Sequence, residues 1–445
     1  MLLCALPALL SAWLQRMSES LDRRTHERFW AIFFGLFLTR ERRRTATTWF
    51  RAGGVGDDFR RGYETIGSVG RNAEPMARTM LLEVERSIAV EDEDRLVFAI
   101  DDTPSKRYGP SVEGAGYHYN PTPGPTGDPL LYGHVFVTLA RLVVHPDWGT
   151  RALPVRADLY VRRKDLPKIE AHRRPDFKTK TTLAIEQMEW LHLWHGKKDK
   201  PIWLVVDGGY SKKPVWAAAR RLDITVVGRL RRDAALRSLP EEPPAGKRGR
   251  KPIYGDRHID LAKRAGQPDG WIEEEMVVYG KVKTKRYKTF LATWAPAGGV
   301  IRVVLVDEPT GWVAYFCTDP NATPAEILGL VSDRGSLEEA FHDVKEVEGA
   351  GEQQLRNLDA NVGAFHMNLW AYTMLEVWAW DKPEEELIDR SASPWDREYR
   401  RPSHADRKKC LIRELLRAEI QAVCSKPLER EQLQQAMEKL LQLAI

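Results

Sequence analysis

Three acidic residues stand where divalent-metal chemistry could use them: Asp102, Asp207 and Glu338. Asp102 follows the apolar run Leu96–Ile100, and Asp207 follows Pro201–Val206. Both runs read as buried strands, and a side chain at a strand end projects from a rigid sheet toward its rim. Asp101 and Asp102 are neighbours in an extended segment, so they point to opposite faces and only one of the two can join such a site. In a helix, Arg334, Glu338, Phe341 and Lys345 fall along one stripe, with Glu338 flanked by cations. Ser336 and Glu339 offer a second start for that helix, which would leave Arg334 in the preceding loop. Singly, each acid fits an ordinary turn or a surface ion pair. Together they suit phosphodiester chemistry, in which two Mg²⁺ ions roughly 3.5–4 Å apart activate the attacking oxygen and stabilise the leaving one. Hard cations of that kind prefer carboxylate oxygens to thiol or imidazole.

Positioning these acids is the task of the surrounding elements. After Leu96–Ile100 comes a polar Gly/Pro-rich stretch, Pro104–Pro129, and then two strand-like segments, Tyr132–Val144 and Ala152–Val161. Thr181–Trp194 has helical apolar spacing, Pro201–Val206 is a strand, Lys213–Arg221 a helix and Ile224–Val227 a strand. Sequential strands followed by strand–helix alternation predict a meander joined to right-handed crossovers in one mixed sheet. That is the element order of a ribonuclease H-like α/β core. Residues 229–325 interrupt it with strand-like stretches at Met276–Tyr279, Tyr287–Trp294, Ile301–Val306 and Val313–Phe316, a β-rich insertion. Thr323-Pro324-Ala325-Glu326 is a capping-box pattern that restarts helical structure. The expected organisation is a helical N-terminal DNA-binding region (1–92), a first core part (93–228), the insertion (229–325), a second core part with the glutamate helix (326–380) and a helical C-terminal region (381–445).

Composition bounds the rest. With 445 residues, 43% hydrophobic and 29% charged, this is an ordinary globular chain too long for one compact core. The four cysteines form no C-x-x-C pair, which argues against a zinc site or a disulfide framework and fits a reducing cytoplasm. The apolar stretches Met1–Leu14 and Trp30–Leu38 lack the flanks or length of a signal or membrane span and are expected to be buried helix faces. Thr39–Arg44, Thr47, Trp49 and Arg51 before Gly53-Gly54 suggest a short basic helix and turn that reads DNA.

The acids and their neighbours resemble a known family. Arg334-x3-Glu338-x6-Lys345 is similar to the Tyr-x2-Arg-x3-Glu-x6-Lys motif of DDE transposases from bacterial insertion sequences, and Gly349–Arg356 resembles the segment trailing it. Ala99-Ile100-Asp101-Asp102-Thr103 resembles the first-aspartate strand, in which the acid commonly precedes Thr, and Val206-Asp207-x-x-Tyr210 resembles the second. The motif's tyrosine falls on Val331. The resemblance implies a ribonuclease H-like fold and two metal ions, Mg²⁺ or Mn²⁺, on Asp102, Asp207 and Glu338, with Arg334 and Lys345 on DNA phosphates. It also implies cut-and-paste transposition: hydrolysis at the terminal inverted repeats of an element, then strand transfer to target DNA. A homodimer pairing two ends in a bacterial, nucleoid-associated setting is expected. A nuclease or resolvase without strand transfer, and a DNA-binding remnant without catalysis, are the competing functions.

Other residues could touch DNA. Arg248 and Arg250 in the basic loop Lys247–Pro252 could enter a minor groove. Lys281, Lys283 and Lys285 should share one strand face, with Lys288 further on. If a hairpin intermediate forms, Trp271, Trp294 or Trp312 could stack on a flipped base. The amphipathic segments Arg407–Cys424 and Leu428–Leu443 could mediate dimerisation.

Overall fold

The computed structural model describes residues 6–40, 43–88, 93–120, 123, 127–241, 251–390, 395–396 and 400–424. Arg248, Arg250 and the segment Leu428–Leu443 lie outside them. Five helices come first: α1 (Ala8–Ser18), α2 (His26–Leu38), α3 (Ala46–Ala52), α4 (Phe59–Arg71) and α5 (Ala73–Ser87). The sheet begins with β1 (Leu96–Lys106), β2 (Gly116–Tyr119), β3 (Leu130–His145) and β4 (Gly149–Tyr160). Alternation follows: α6 (Lys180–Trp194), β5 (Ile202–Val206), α7 (Lys213–Arg221) and β6 (Ile224–Leu230). Next come β7 (Leu236–Arg237), β8 (His258–Ile259), α8 (Leu261–Gly266), β9 (Ile272–Val278), β10 (Lys281–Trp294), β11 (Gly299–Val306) and β12 (Val313–Cys317). The chain then turns helical through α9 (Pro324–Asp333), α10 (Gly335–Glu346), α11 (Leu358–Trp378), α12 (Glu384–Leu387) and α13 (His404–Cys424).

The heart of the sheet runs β4-β3-β1-β5-β6, with β1, β5 and β6 mutually parallel and β3 antiparallel to both β1 and β4. This is the expected ribonuclease H-like mixed sheet. β1 and β5 are continuous apolar runs because helices cover both of their faces. On one face Phe98, Ile100, Leu204 and Val206 meet Leu183 and Met188 of α6. On the other, Ala99 and Val205 share a core with Leu337, Phe341 and Val344 of α10.

The segment expected as an insertion extends this sheet. β12 pairs antiparallel with β6, and β11 and β10 follow, so its strands continue one 12-stranded sheet. The capping box at α9 forms as the sequence dictates: the Thr323 side chain accepts from the backbone N–H of Glu326, whose carboxylate accepts from that of Thr323.

The helices of the first 88 residues bury their apolar faces in the same core as the sheet and α11. Leu10, Trp13 and Met17 of α1 and Phe29 and Ala31–Leu38 of α2 are buried, as their apolar pattern requires. Among the described residues no helix is long and apolar enough to cross a membrane. Where a basic helix and turn are expected, across Thr39–Gly54, α2 ends at Leu38, and α3 carries Thr47, Trp49 and Arg51 up to the glycine pair. Trp49 and Phe50 of α3 are fully buried in the core, and Arg51 on the same helix is exposed. α4 crosses α11 at backbone contact. A Cβ on Gly363 would lie 2.0 Å from the Ile66 carbonyl oxygen, and one on Gly70 would lie 1.9 Å from that of Asp359.

Candidate active site

Register decides which acids can meet. Ile100 pairs with Val206 across the parallel β1–β5 ladder, so Asp101 and Asp207 occupy the next rung, just past the apolar part of each strand. Ala99 and Val205 face α10, and two-residue alternation sends Asp101 to that same side. Arg334 caps α10 and bridges: its Nη1 donates to Asp101 Oδ2 at 2.6 Å and its Nη2 to Glu338 Oε1 at 2.9 Å. Asp102 faces the other way, with its carboxylate taking Lys180 Nζ at 2.6 Å and the Tyr210 hydroxyl at 2.8 Å.

All of these groups line one cavity of about 770 Å³, together with Lys345. The sequence-predicted residues Asp102, Asp207, Glu338, Arg334 and Lys345 are therefore brought together, and Asp101 joins them. Glu339 turns away to Arg151 and Arg401, leaving Glu338 as the glutamate of α10 that faces the cavity. Asp207 sits exposed in the turn after β5, and the Glu338 side chain is 63% exposed.

Burial shapes the electrostatics of the groups around the cavity. Burial pushes the Asp101 carboxyl up to about 7, against the pull of the Arg334 guanidinium, and the nearby Asp102 and Asp207 add to the rise. Burial and the same carboxylates raise the Tyr210 hydroxyl, so it stays a donor to Asp102. Burial also lowers the Lys345 ammonium below its ordinary value. His118 is held down to about 4, chiefly by burial, and is neutral at neutral pH.

Several members of this cavity escaped the sequence reading. Lys180 opens α6, and no local pattern marks it; only the fold carries it to Asp102. Tyr117 and Tyr119 on β2 line the cavity at 59% and 76% exposure, in a stretch expected to lack strands. The short alternation Gly-Tyr-His-Tyr was the available signal. The three tryptophans weighed for base stacking lie elsewhere. Trp294 packs with Trp216 and Phe316 in the core, Trp271 lies under Arg286 and Lys288, and Trp312 lies under Arg232. Lys288 is also no part of an exposed lysine face: it is buried, with its ammonium on the Arg264 and Gln267 carbonyls.

The donor set fits hard divalent cations: aspartates from two adjacent parallel strand ends and a glutamate from the covering helix, all opening on one cavity. Among the described residues no three acidic, His or Cys side chains already converge closely enough to hold an ion. Arg334 and Lys180 stand among the carboxylates instead.

A family model described as DDE superfamily endonuclease matches residues 16–294, more than half of the chain. The chain belongs to this family. The matched stretch of the endonuclease includes Asp101, Asp102 and Asp207 and ends before α10, so the place of Glu338 rests on the geometry above. A comparison with curated proteins gives no match.

Proposed function

We propose that this endonuclease is a DNA transposase that cleaves at the ends of its element and joins the freed 3′ ends to target DNA. The observation that carries the reading is the single cavity onto which Asp102, Asp207 and Glu338 open, with Arg334, Lys180 and Lys345 around it. Divalent metal ions, Mg²⁺ with Mn²⁺ able to substitute, would be held by these carboxylates and would activate the attacking oxygen while stabilising the leaving one. The chain's cations do the complementary work. Arg334 and Lys180 neutralise the acids in the free protein, and incoming DNA offers them phosphates instead. Lys345, half-buried on the same helix stripe as Glu338, is placed for a third phosphate contact. A dimer that pairs two ends completes the scheme.

Two readings remain for the first-strand ligand. The family motif places it at Asp102. The direction of the side chains favours Asp101, which lies on the face of α10 beside Asp207, whereas Asp102 is engaged by Lys180 and Tyr210. Asparagine at each position separates them: the ligand's loss abolishes metal-dependent cleavage, and its neighbour's loss leaves cleavage measurable.

The test is cleavage and strand transfer of end-containing DNA in Mg²⁺, assayed on gels. Asp207→Ala and Glu338→Ala are expected to lose more than the roughly 10–100-fold that removal of a metal ligand's supporting partner costs, with unchanged melting temperature. Retained activity in both variants sinks the proposal. Cleaved ends that never join target DNA would reduce it to an endonuclease without transfer.

A further inference from the structure

Arg107 follows directly on β1, five residues beyond Asp102, and its side chain is buried, at 4% exposure. Its Nε donates to His134 Nδ1 at 3.1 Å and its Nη1 reaches the Lys106 carbonyl at 3.5 Å. Its Nη2 has no hydrogen-bond partner, nor does the nearby hydroxyl of Ser105. The histidine cannot serve as counter-ion. Burial draws its pKa down to about 3, and its Nε2 donates to the Glu113 carbonyl at 2.9 Å, which leaves Nδ1 as a neutral acceptor. Burial lowers the Arg107 guanidinium to about 10, so it keeps its charge at neutral pH. A buried cation without an anion is a costly arrangement for a fold to keep.

What lies over it supplies the reason. Arg107 lines a cavity of about 670 Å³ whose wall also carries Arg43 and Arg356. Both are exposed, and neither takes part in an ion pair among the described residues. The one carboxylate on that wall among the described residues, Glu352, is engaged by Arg44 at 2.5 Å. Gly351 lines the same wall at φ +108, where a Cβ would come within 2.9 Å of the Ser105 hydroxyl, so backbone rather than side chain faces that oxygen. Among the described residues the cavity thus gathers three guanidinium groups and no uncommitted anion.

We propose that this cavity binds a backbone phosphate of the DNA on which the endonuclease acts, distinct from the phosphate at the carboxylates. The inference rests on the reading that the chain works on DNA. β1 links the two places: five residues at about 3.3 Å each span about 17 Å, the scale of a few successive phosphates along one DNA strand. A phosphate entering would meet the planar forks of Arg43 and Arg356, with the charge of Arg107 beneath it.

Fluorescence anisotropy with a labelled short duplex of arbitrary sequence, in EDTA over a salt series, tests this. Arg43→Ala and Arg356→Ala are each expected to weaken binding evenly across sequences and to reduce the slope of log K against log salt by about one. Arg107→Gln should weaken binding as well, read only alongside an unchanged thermal melt because the residue is buried. An unchanged slope in the Arg43→Ala/Arg356→Ala double variant overturns the proposal, as does a wild-type protein that binds no duplex. So does stabilisation of the wild type by inorganic phosphate with slopes left intact, which would make the cavity a site for free anion. The two readings fail separately. Slopes that fall in a protein unable to cleave would leave this site standing without the proposed activity. Cleavage with unchanged slopes would do the reverse.

Discussion

At the scale of single residues, the cavity is organised around an acid that the fold makes expensive to ionise. Asp101 is mostly buried, and its carboxyl titrates near 7 even with Arg334 at 2.6 Å. Between about pH 4 and about pH 7 the folded protein therefore binds a proton at this position that the unfolded chain has released. Stability from this group is highest at the acid end of that window and falls as pH rises through it. By about pH 8 the ionised carboxylate is a net cost. Asp101→Asn is expected to flatten this part of the pH dependence and to raise the urea midpoint relative to wild type at about pH 8 in EDTA. Lower stability of the variant at that pH would show that the Arg334 pair outweighs desolvation. Arg334 allows a second test, since one planar fork reaches Asp101 and Glu338 at once. Arg334→Lys keeps the charge and loses the fork, so cleavage should fall well below wild type while the slope of DNA binding with salt stays near it. Wild-type cleavage in Arg334→Lys would make the guanidinium geometry irrelevant.

At the scale of elements, what the sequence revealed depended on how local the cause was. β1, β5 and β6 were legible because strands buried on both faces read as unbroken apolar runs, and α7 was legible because Pro214 and the spacing around Ala218 bound it locally. The same strands delivered Asp102 and Asp207 to the rim, and the four-residue spacing of Arg334 and Glu338 foretold their ion pair. β2 escaped because four residues in a Gly/Pro-rich stretch leave too short a pattern. The pairing of β12 with β6, which makes the expected insertion part of the main sheet, is a nonlocal contact that no window of sequence contains. The choice between Asp101 and Asp102 likewise turns on which sheet face α10 covers. The crossing of α4 and α11 was hidden in the same way: glycine weakens a helix locally, and only the fold brings the backbones at Gly70 and Gly363 into contact. Gly363→Ala must displace one helix, because its Cβ would sit 2.0 Å from the Ile66 carbonyl oxygen. A loss of about 3 kcal/mol or more in denaturant unfolding is expected, at or above the upper end for overpacked cores. A change below about 0.5 kcal/mol would mean that the helices can separate freely.

At the scale of the whole molecule, the glutamate helix is fixed from behind by a buried charge network that ties α13 to α11. His404 of α13 sits between Glu376 Oε1 at 2.7 Å and Glu348 Oε1 at 2.9 Å, all three fully buried. Arg407 and Arg151 pair with Glu376, Lys408 pairs with Glu348, and the Tyr372 hydroxyl accepts from Arg151. Glu348 lies two residues beyond α10, so this network anchors the end of the helix that carries Glu338. Burial alone would lower the His404 imidazole, but the two carboxylates outweigh it and raise the pKa above the ordinary value. The charged form is thus the native one, and the sign follows. Its stabilisation is fully present below about pH 6.5 and is lost as pH rises through the folded-state value. That window overlaps the one governed by Asp101, so a background without the Asp101 carboxyl is needed to isolate it. The urea midpoint of an Asp101→Asn background should fall as pH rises above about 6.5, and His404→Gln should remove most of that fall. At about pH 6 the glutamine variant should be less stable by about 3 kcal/mol, the lower end of the cost of breaking a buried ion pair. Because Glu348 follows α10, the same variant should lose cleavage activity more steeply on warming than wild type does. If the midpoint were flat with pH before the substitution, His404 would be neutral in the fold, and Arg407 and Lys408 would be the α13 cations that meet the buried glutamates.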